Sequence, residues 1–196
     1  MLKRLFDWLA ATSGLIVLSP VLLVIALLVA ITSRGPIFYR GVRAGRGGVP
    51  FRIFKFRTMV VNAEHIGGGS TGKDDPRITG FGRFLRRNKL DELPQLFNVS
   101  FGDMSLVGPR PELLQYTNQY QGDERLILSV RPGITDLASI EFIQLGDVLG
   151  NTDPDRVYEE VVKPRKNSLR VRYVREQSFI GDLSILMRTL RRLFPV

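Results

Sequence analysis

The chain has 196 residues, enough for one domain with a sizeable core or for a small domain with an appendage. Its 28 lysines and arginines exceed its 19 acidic residues, and the formal charge of +9 indicates an anionic partner: nucleic acid, an acidic membrane surface or a phosphorylated substrate. The absence of cysteine excludes disulfides, thiolate nucleophiles and thiolate zinc sites, and the single histidine, His65, cannot form a histidine metal centre alone.

The amino-terminal segment is strongly apolar. Residues 8–33 contain no charged side chain, and the aliphatic run 15–31 approaches the roughly 20 residues that span a bilayer as a helix. The residues before Arg34 are a poor signal-peptide cleavage site, so the segment is predicted to be retained and to enter the membrane.

Ser19 and Pro20 interrupt this apolar run. Proline has no N–H for the carbonyl of Ile16, so the helix is predicted to kink or break there. The Ser19 hydroxyl can bond back to the carbonyl one turn earlier, which lowers the cost in hydrocarbon.

Positive charge flanks the segment on both sides. Lys3 and Arg4 precede it, and seven more basic residues follow it before the next acidic residue, Glu64. Because basic flanks favour the cytoplasmic side, residues 1–34 are predicted to form a re-entrant helical hairpin that enters one leaflet and returns. A kinked spanning helix is the alternative.

The next part of the chain has the pattern of a small β-hairpin. Residues 37–40 and 51–57 flank a turn-rich stretch, and the second run alternates aromatic or apolar residues with basic ones. Since rings and cations would face opposite sides, core packing is favoured over stacking on nucleic-acid bases.

The glycine-rich residues 62–76 are predicted to form a mobile loop over a site, with His65 at its surface. This loop is not a phosphate-binding P-loop, because Lys73 is followed by Asp74.

Two adjacent carboxylates, Asp91 and Glu92, lie in a very basic stretch. A helix predicted from Thr79 aims several arginines, including Arg86, towards the pair, and a later Gly-Pro-Arg-Pro turn brings Arg110. This pattern suggests a site for a phosphorylated ligand. Taken alone, the pair is more typical of the first turn of a helix, where acidic residues favour the positive dipole end.

Five motifs follow one another along the chain. They are Ser19-Pro20, Lys55-Phe56-Arg57-Thr58-Met59, Leu90-Asp91-Glu92-Leu93-Pro94-Gln95, the run from Gly102-Asp103-Met104-Ser105 to Gly108-Pro109-Arg110-Pro111, and Arg131-Pro132-Gly133-Ile134-Thr135. In order and spacing they resemble one family, the bacterial sugar transferases, in their small form as monotopic phosphoglycosyl transferases. The resemblance covers essentially the whole chain.

The resemblance implies transfer of a sugar-1-phosphate from a UDP-sugar to a polyprenol phosphate, normally undecaprenyl phosphate, as the first membrane step of surface glycan synthesis, with release of UMP. It implies that Asp91 is the nucleophile, through an aspartyl phosphosugar intermediate. It also implies that Glu92 holds Mg²⁺. The cations implied to bind phosphate are Arg86, Arg110, Lys55, Arg57 and Arg131.

The chain departs from the family pattern at several positions. Asp136 stands where many members have glycine, and the arginine expected near Ile143 is missing, which puts the identity of the donor in doubt. Asn88-Lys89 replaces a more usual small hydroxyl residue.

The carboxy-terminal part is predicted to be helical. Asp153-Pro154 has the pattern of an N-cap and first helical residue, and Pro164 is expected to end or kink that helix. Residues 182–196 form a basic amphipathic pattern that suits either the interface of an anionic bilayer or packing on the core.

These elements predict a helix-rich α+β fold. Residues 1–34 form the membrane hairpin, 35–181 a cytoplasmic catalytic domain with a small β-hairpin, and 182–196 an interfacial helix of the same domain. The expected location is the cytoplasmic face of a bacterial inner membrane, with no nucleic-acid partner. Two other functions stay open, a membrane-anchored binding module for anionic lipid or nucleic acid and a nucleotide-sugar hydrolase. The sugar, the glycan pathway and the formation of a homodimer are also left open.

Overall fold

The computed structural model describes residues 1–66, 71–72, 74–149 and 152–193, and it confirms a helix-rich fold with short strands. The helices are α1 (Leu2–Thr32), α2 (Ala63–Ile66), α3 (Gly80–Arg87), α4 (Gln95–Phe101), α5 (Leu114–Thr117), α6 (Leu137–Glu141), α7 (Leu145–Leu149), α8 (Pro154–Val157), α9 (Lys163–Glu176) and α10 (Phe179–Leu193). The strands are β1 (Phe38–Tyr39), β2 (Val42–Ala44), β3 (Pro50–Arg52), β4 (Lys55–Phe56), β5 (Ser105–Val107) and β6 (Gly133–Thr135).

Helix α1 runs without interruption through Pro20. The Ser19 hydroxyl donates to the carbonyl oxygen of Ile16 at 2.8 Å, which is the carbonyl that Pro20 leaves without its usual partner. The predicted back-bond is therefore confirmed, whereas the predicted break does not interrupt the helix. Among the described helices, α1 alone is long and apolar enough to cross a membrane. The re-entrant path stays a prediction.

The amino-terminal end of α1 is bonded to the rest of the domain. Lys3 Nζ donates to Asp182 Oδ2 at 2.6 Å, and Arg4 donates to the carbonyl of Val99 at 2.7 Å. The buried Asp7 accepts a hydrogen bond from the Ser105 hydroxyl at 2.7 Å. These long-range bonds attach the first two turns of α1 to α4, β5 and α10.

The carboxy-terminal end of α1 is attached to the same domain. Ile25 and Val29 pack in one buried cluster with Phe56 and Leu85. The face of α1 turned away from the domain is apolar and exposed along its length, with Leu5 55%, Ile16 70% and Ile31 69% exposed. The helix therefore contacts the domain near both ends and presents apolar side chains outwards.

The predicted hairpin is present as two antiparallel pairs. Strand β1 pairs with β4, and β2 pairs with β3. The aromatic-basic run is thus divided between two strands, with Ile53 and Phe56 buried against α1 and α4.

Helix α2 forms within the segment predicted to be a loop, where Arg77 donates to the carbonyl of Ala63 at 3.1 Å. Residues 67–70 and 73 of that loop, and the side chain of His65, lie outside the described part.

Strands β5 and β6 are parallel neighbours, and two glycines let the turn after β5 approach β6 closely. A Cβ at Gly133 would lie 2.1 Å from the backbone nitrogen of Gly108, so no side chain fits there. The backbone N–H of Gly133 donates to the carbonyl of Pro109 at 3.0 Å. This contact fixes the turn that carries Arg110.

The carboxy-terminal helices cover the other side of β5 and β6. Asp153 caps α8 by accepting from the N–H of Arg156 at 3.1 Å, as predicted. The helix does not end at Pro164, because a π-helical turn at Tyr158–Val162 precedes it and proline is tolerated in the first turn of α9. Helix α10 starts at Phe179 and buries Ile185 against the β5 region.

Candidate active site

The carboxylate pair lies in a short 3₁₀ turn, Leu90–Glu92, between α3 and α4. The Thr79 hydroxyl caps α3 by accepting a hydrogen bond from the N–H of Gly82 at 3.0 Å. The helix predicted from Thr79 is therefore present and begins next to that residue. After α3, Lys89 adopts a left-handed conformation with φ 56°, which is uncommon for a residue with a side chain. This reversal turns the following residues back towards β4. The pair therefore precedes α4 and does not form its first turn.

Asp91 is buried, at 7% exposure, and its carboxylate accepts no hydrogen bond from any described residue. Burial raises the pKa of Asp91, and the neighbouring charge of Glu92 raises it further, while Lys55, Arg86 and Arg110 act in the opposite direction. Asp91 thus has a carboxylate close to three cations with its lone pairs uncommitted.

Glu92 has the opposite environment. Its Oε1 atom accepts from Lys55 Nζ at 3.0 Å and also from the Arg110 guanidinium. Burial alone would raise the pKa of Glu92, but the charges of Arg110 and Lys55 hold it well below its usual range. Two adjacent acids therefore differ in chemistry, since Glu92 is a paired anion and Asp91 is not.

Arg110 is held by three polar contacts. Its backbone N–H donates to Asp136 Oδ2 at 3.0 Å, one guanidinium nitrogen donates to the carbonyl of Ile134 at 2.9 Å, and the other donates to Glu92. Arg86 lies on α3, and its Nε donates a hydrogen bond to the Thr58 hydroxyl at 2.8 Å. Burial lowers the pKa of Arg86, although the charge of Asp91 opposes that effect.

The structure brings together five of the predicted site residues, namely Asp91, Glu92, Lys55, Arg86 and Arg110.

Arg57 and Arg131 bond elsewhere. The Arg57 guanidinium donates to the carbonyl of Ser33 at 2.6 Å and to that of Pro36, so it fastens the end of α1. Arg131 donates to the carbonyl of Gly102 at 2.9 Å. Their described contacts hold parts of the fold together, and the binding of phosphate by these two arginines stays a prediction.

A second charged cluster adjoins Arg110, and sequence reasoning did not assign it. Arg170 of α9, only 1% exposed, lies 2.8 Å from Glu112 and 3.4 Å from Asp136. The hydroxyl of Tyr158 donates to Glu112 at 2.5 Å. Asp136 also caps α6, and its only sequence signal was its place where many family members have glycine. Asp136 thus links this cluster to the backbone of Arg110.

The residues fit Mg²⁺ only as an ion that arrives with phosphate ligands. Within the described ranges no group of three or more histidine, cysteine or acidic residues could hold a metal ion. Both hydrogen bonds that Glu92 accepts from described residues go to Oε1, and none of those residues donates to its Oε2. One or two carboxylates completed by phosphate oxygens and water is the usual protein site for Mg²⁺.

Comparison with known proteins gives consistent matches. The family model described as bacterial sugar transferase matches residues 1–195. The UDP-glucose:undecaprenyl-phosphate glucose-1-phosphate transferase of Klebsiella pneumoniae is 41% identical over 191 residues, which are 96% of this chain and 39% of that protein. The exopolysaccharide production protein PSS of Rhizobium leguminosarum bv. phaseoli is 37% identical over 194 residues, 95% of this chain and 89% of that protein.

A third similar protein is the putative undecaprenyl-phosphate N-acetylgalactosaminyl 1-phosphate transferase of Bacillus subtilis (strain 168). It is 43% identical over 122 residues, which cover 62% of this chain and 68% of the relative. The chain thus spans less than half of the glucose-1-phosphate transferase but most of the PSS protein.

Proposed function

The chain belongs to the bacterial sugar transferase family, and we propose that it transfers a sugar-1-phosphate from a UDP-sugar to undecaprenyl phosphate and releases UMP. The names of the similar proteins support both substrates. The observation that carries the proposal is the contrast within the pair, in which Glu92 is bonded to two cations and Asp91 is uncommitted.

In the proposed first step, an oxygen of Asp91 attacks the sugar-proximal phosphorus of the UDP-sugar. A bond forms from that oxygen to phosphorus, and the bond from the same phosphorus to the bridging oxygen breaks, so UMP leaves with the electron pair. In the second step, a phosphate oxygen of undecaprenyl phosphate attacks the same phosphorus and releases the Asp91 carboxylate. A buried carboxylate without hydrogen bonds suits this role because its lone pairs need not be freed first.

The cations lower the repulsion between the reacting anions. The Arg110 guanidinium donates to Glu92, and the charges of Arg110 and Arg86 both act on Asp91. Both cations are therefore close to the carboxylate that attacks phosphorus. Lys55 is fixed to Glu92 at 3.0 Å. Positioned positive charge of this kind stabilises the charge on a transferring phosphoryl group.

Glu92 would hold Mg²⁺ through its Oε2, to which no described residue donates. When bound, the ion would neutralise charge on the diphosphate. The Lys55 and Arg110 bonds to Oε1 keep Glu92 ionised and oriented for this contact.

For the membrane, the proposed arrangement is that α1 bends at Ser19-Pro20 without losing its helical structure, so that it enters the cytoplasmic leaflet of the inner membrane and both of its ends stay on that side. Lys3 and Arg4 at one end, and Ser33 at the other, are bonded to the same domain, which favours both ends lying on one side. The exposed apolar residues of α10, such as Ile180 and Met187, suit contact with the bilayer surface.

A tag placed before Met1 tests this topology. The re-entrant path predicts that the tag is reachable by an impermeant reagent only after the cytoplasm is opened. A tag inserted in a turn of the catalytic domain is the control for the cytoplasmic side. Labelling of the amino-terminal tag from the periplasm would show instead that α1 spans the membrane.

One assay separates transfer from the other two functions. Purified protein is incubated with candidate UDP-sugars, Mg²⁺ and undecaprenyl phosphate, and the release of UMP is followed. Release that depends on the lipid is expected for transfer. Release without lipid would point to a hydrolase, and no turnover with any donor would leave a binding module as the better account. The same donor screen identifies the sugar.

A further inference from the structure

The turn that carries Arg110 is held by a buried carboxylate that takes no part in the proposed reaction steps. The Arg110 backbone N–H donates to Asp136 Oδ2 at 3.0 Å, and Asp136 is fully buried, at 0% exposure. The other carboxylate oxygen of Asp136 caps α6, where it accepts from the N–H of Ser139 at 2.5 Å and from its hydroxyl at 2.7 Å. The two oxygens of one side chain thus hold two different elements, the start of α6 and the Arg110 turn.

Arg170 of α9 fixes Asp136 from the other side. Its Nε is 3.4 Å from Asp136 Oδ2, and another of its guanidinium nitrogens is 2.8 Å from Glu112 Oε1. Glu112 follows Arg110 by two positions, so one buried guanidinium bonds to both acids that adjoin Arg110. A planar guanidinium with several donors in a fixed arrangement can do this, whereas an ammonium group is a single point charge. The orientation of Asp136 therefore depends on α9.

The other end of Arg110 lies in the candidate active site. Its guanidinium donates to Glu92 and to the carbonyl of Ile134 at 2.9 Å. The contacts from Arg170 to Asp136, from Asp136 to the Arg110 backbone and from the Arg110 side chain to Glu92 are all direct. A shift of the backbone at Arg110 would therefore move its guanidinium relative to Glu92.

The Arg110 turn has few other backbone bonds that could hold it. Pro109 and Pro111 have no backbone N–H, so the N–H of Arg110 is the one backbone donor of residues 109–111. The turn is also held where the carbonyl of Pro109 accepts from the N–H of Gly133 at 3.0 Å. Loss of Asp136 would leave the Arg110 N–H without its acceptor, and an unpaired backbone donor shielded from water is costly. The turn is then expected to shift.

We propose that Asp136 is a positioning residue for the transfer reaction and that Arg170 holds it in place. Asp136 Oδ2 fixes the backbone of Arg110, so that the Arg110 guanidinium stays at Glu92, beside the phosphoryl group that Asp91 receives. This inference rests on the proposed function, since it assigns a role at the same site. A displacement of about 1 Å in such a site can lower a rate about 100-fold.

Asp136→Ser separates the two tasks of the carboxylate. Serine still caps a helix, but it has no second oxygen for Arg110 and Arg170. The kcat/KM for UMP release by the full-length protein in membrane discs is expected to fall about 10- to 100-fold. The matched control is Ser139→Ala, which removes only the hydroxyl that donates to Asp136 Oδ1 and should keep wild-type kinetics. Wild-type kinetics in Asp136→Ser, or an equal loss in Ser139→Ala, would overturn the proposal.

A double-mutant cycle with Arg110→Met separates positioning from a general effect on the fold. If Asp136 acts through Arg110, Asp136→Ser should change kcat/KM by less than about 2-fold once Arg110 is replaced by methionine. A smaller folded fraction would instead lower kcat/KM by the same factor with either residue at position 110. Equal losses in the two backgrounds would therefore overturn the positioning role.

Arg170→Lys tests the second part of the path. Lysine keeps the charge but cannot bond to both Glu112 and Asp136 as the guanidinium does. Its kcat/KM should fall when Arg110 is present and change by less than about 2-fold in Arg110→Met. Wild-type kinetics, or the same loss in both backgrounds, would remove Arg170 from the path.

A structure of the Asp136→Ser variant decides the positioning role without turnover. The Arg110 guanidinium is expected to have left Glu92, and a retained contact between them would overturn the proposal whatever the kinetics. Failure of the proposed function would look different. If the wild type released no UMP with any donor, transfer would be wrong, while loss of the Arg110–Glu92 contact in Asp136→Ser would still show that Asp136 positions Arg110.

Discussion

Replacing Asp91 by asparagine removes the proposed nucleophile without breaking a contact. The carboxylate accepts no hydrogen bond from the described residues, and the amide has nearly the same shape. Turnover is expected to fall on the order of 10⁴-fold or more, because an amide does not form the phosphosugar intermediate. Stability should change by less than about 1 kcal/mol, which corresponds to a shift in Tm of at most roughly 2–4 °C for a chain of this size.

The matched variant is Glu92→Gln, which also removes one negative charge. Glu92 is bonded to Lys55 and Arg110, so its loss leaves two cations without their partner. Breaking such a buried pair costs about 3 kcal/mol, or roughly 6–12 °C in Tm. Loss of activity with an unchanged Tm is therefore expected for Asp91→Asn alone.

The pH dependence of stability offers a second check on Asp91. Because its pKa is raised in the folded protein, the folded state binds more protons than the unfolded state between the ordinary aspartate pKa and the raised value. The wild type should accordingly gain stability as the pH falls from above the raised value towards the ordinary one, and Asp91→Asn should lack this gain.

The assay for Asp91 combines UMP release, labelling of the protein by a donor that carries labelled sugar phosphate, and a melting curve. Loss of both turnover and labelling with a stable fold is the expected result. Turnover above about 1% of wild type, or retained labelling, would remove Asp91 as the nucleophile, since the proposed loss is on the order of 10⁴-fold. A Tm that falls as far as that of Glu92→Gln would refute the structural reasoning.

Three further substitutions test other contacts. Arg110→Lys should lower kcat/KM about 10- to 100-fold. Lysine keeps the charge but cannot make both side-chain hydrogen bonds of Arg110, to Glu92 and to the carbonyl of Ile134. Unchanged steady-state kinetics would contradict this. Arg57→Met should lower the Tm by several degrees and leave the KM for donor unchanged, since its hydrogen bonds attach the end of α1 to the domain. A raised KM in a stable protein would contradict this and support the predicted phosphate role. Gly133→Ala should destabilise the protein by about 3 kcal/mol in chemical unfolding, because its Cβ would meet backbone, and a wild-type midpoint would refute the close approach.

Local patterns were sufficient for much of the fold. The absence of charge in residues 8–33 predicts the long apolar helix, and Thr79 and Asp153 mark the helix starts at which they cap. The pair Asp91-Glu92 is conspicuous in sequence because two acids stand in a basic stretch. The path of the chain near Pro164 was not predictable, because a π-helical turn depends on how Tyr158 and Val162 pack against other elements.

The sequence by itself indicated the members of the candidate site, since Lys55, Arg86, Asp91, Glu92 and Arg110 were all assigned to it without coordinates, but it assigned Arg57 and Arg131 as well, whose described contacts lie elsewhere. Only the tertiary structure decided how they share charge. Pairing depends on distances across the chain, such as the Lys55–Glu92 contact between residues 37 positions apart, and these distances follow from packing.

The same reason explains the unexpected residues. Lys166 lies in no motif of the sequence, and Asp136 is noted there only as a departure from the family pattern. Packing of α9 on α6 and on the Gly122–Ser129 turn buries both residues, Asp136 against the backbone of Arg110 and Lys166 over the rings of Tyr158 and Phe142. The sequence therefore determined the chemistry that is present, and the tertiary structure decided that Glu92 is paired with two cations while Asp91 accepts no hydrogen bond from the described residues, since both properties arise from burial and distance.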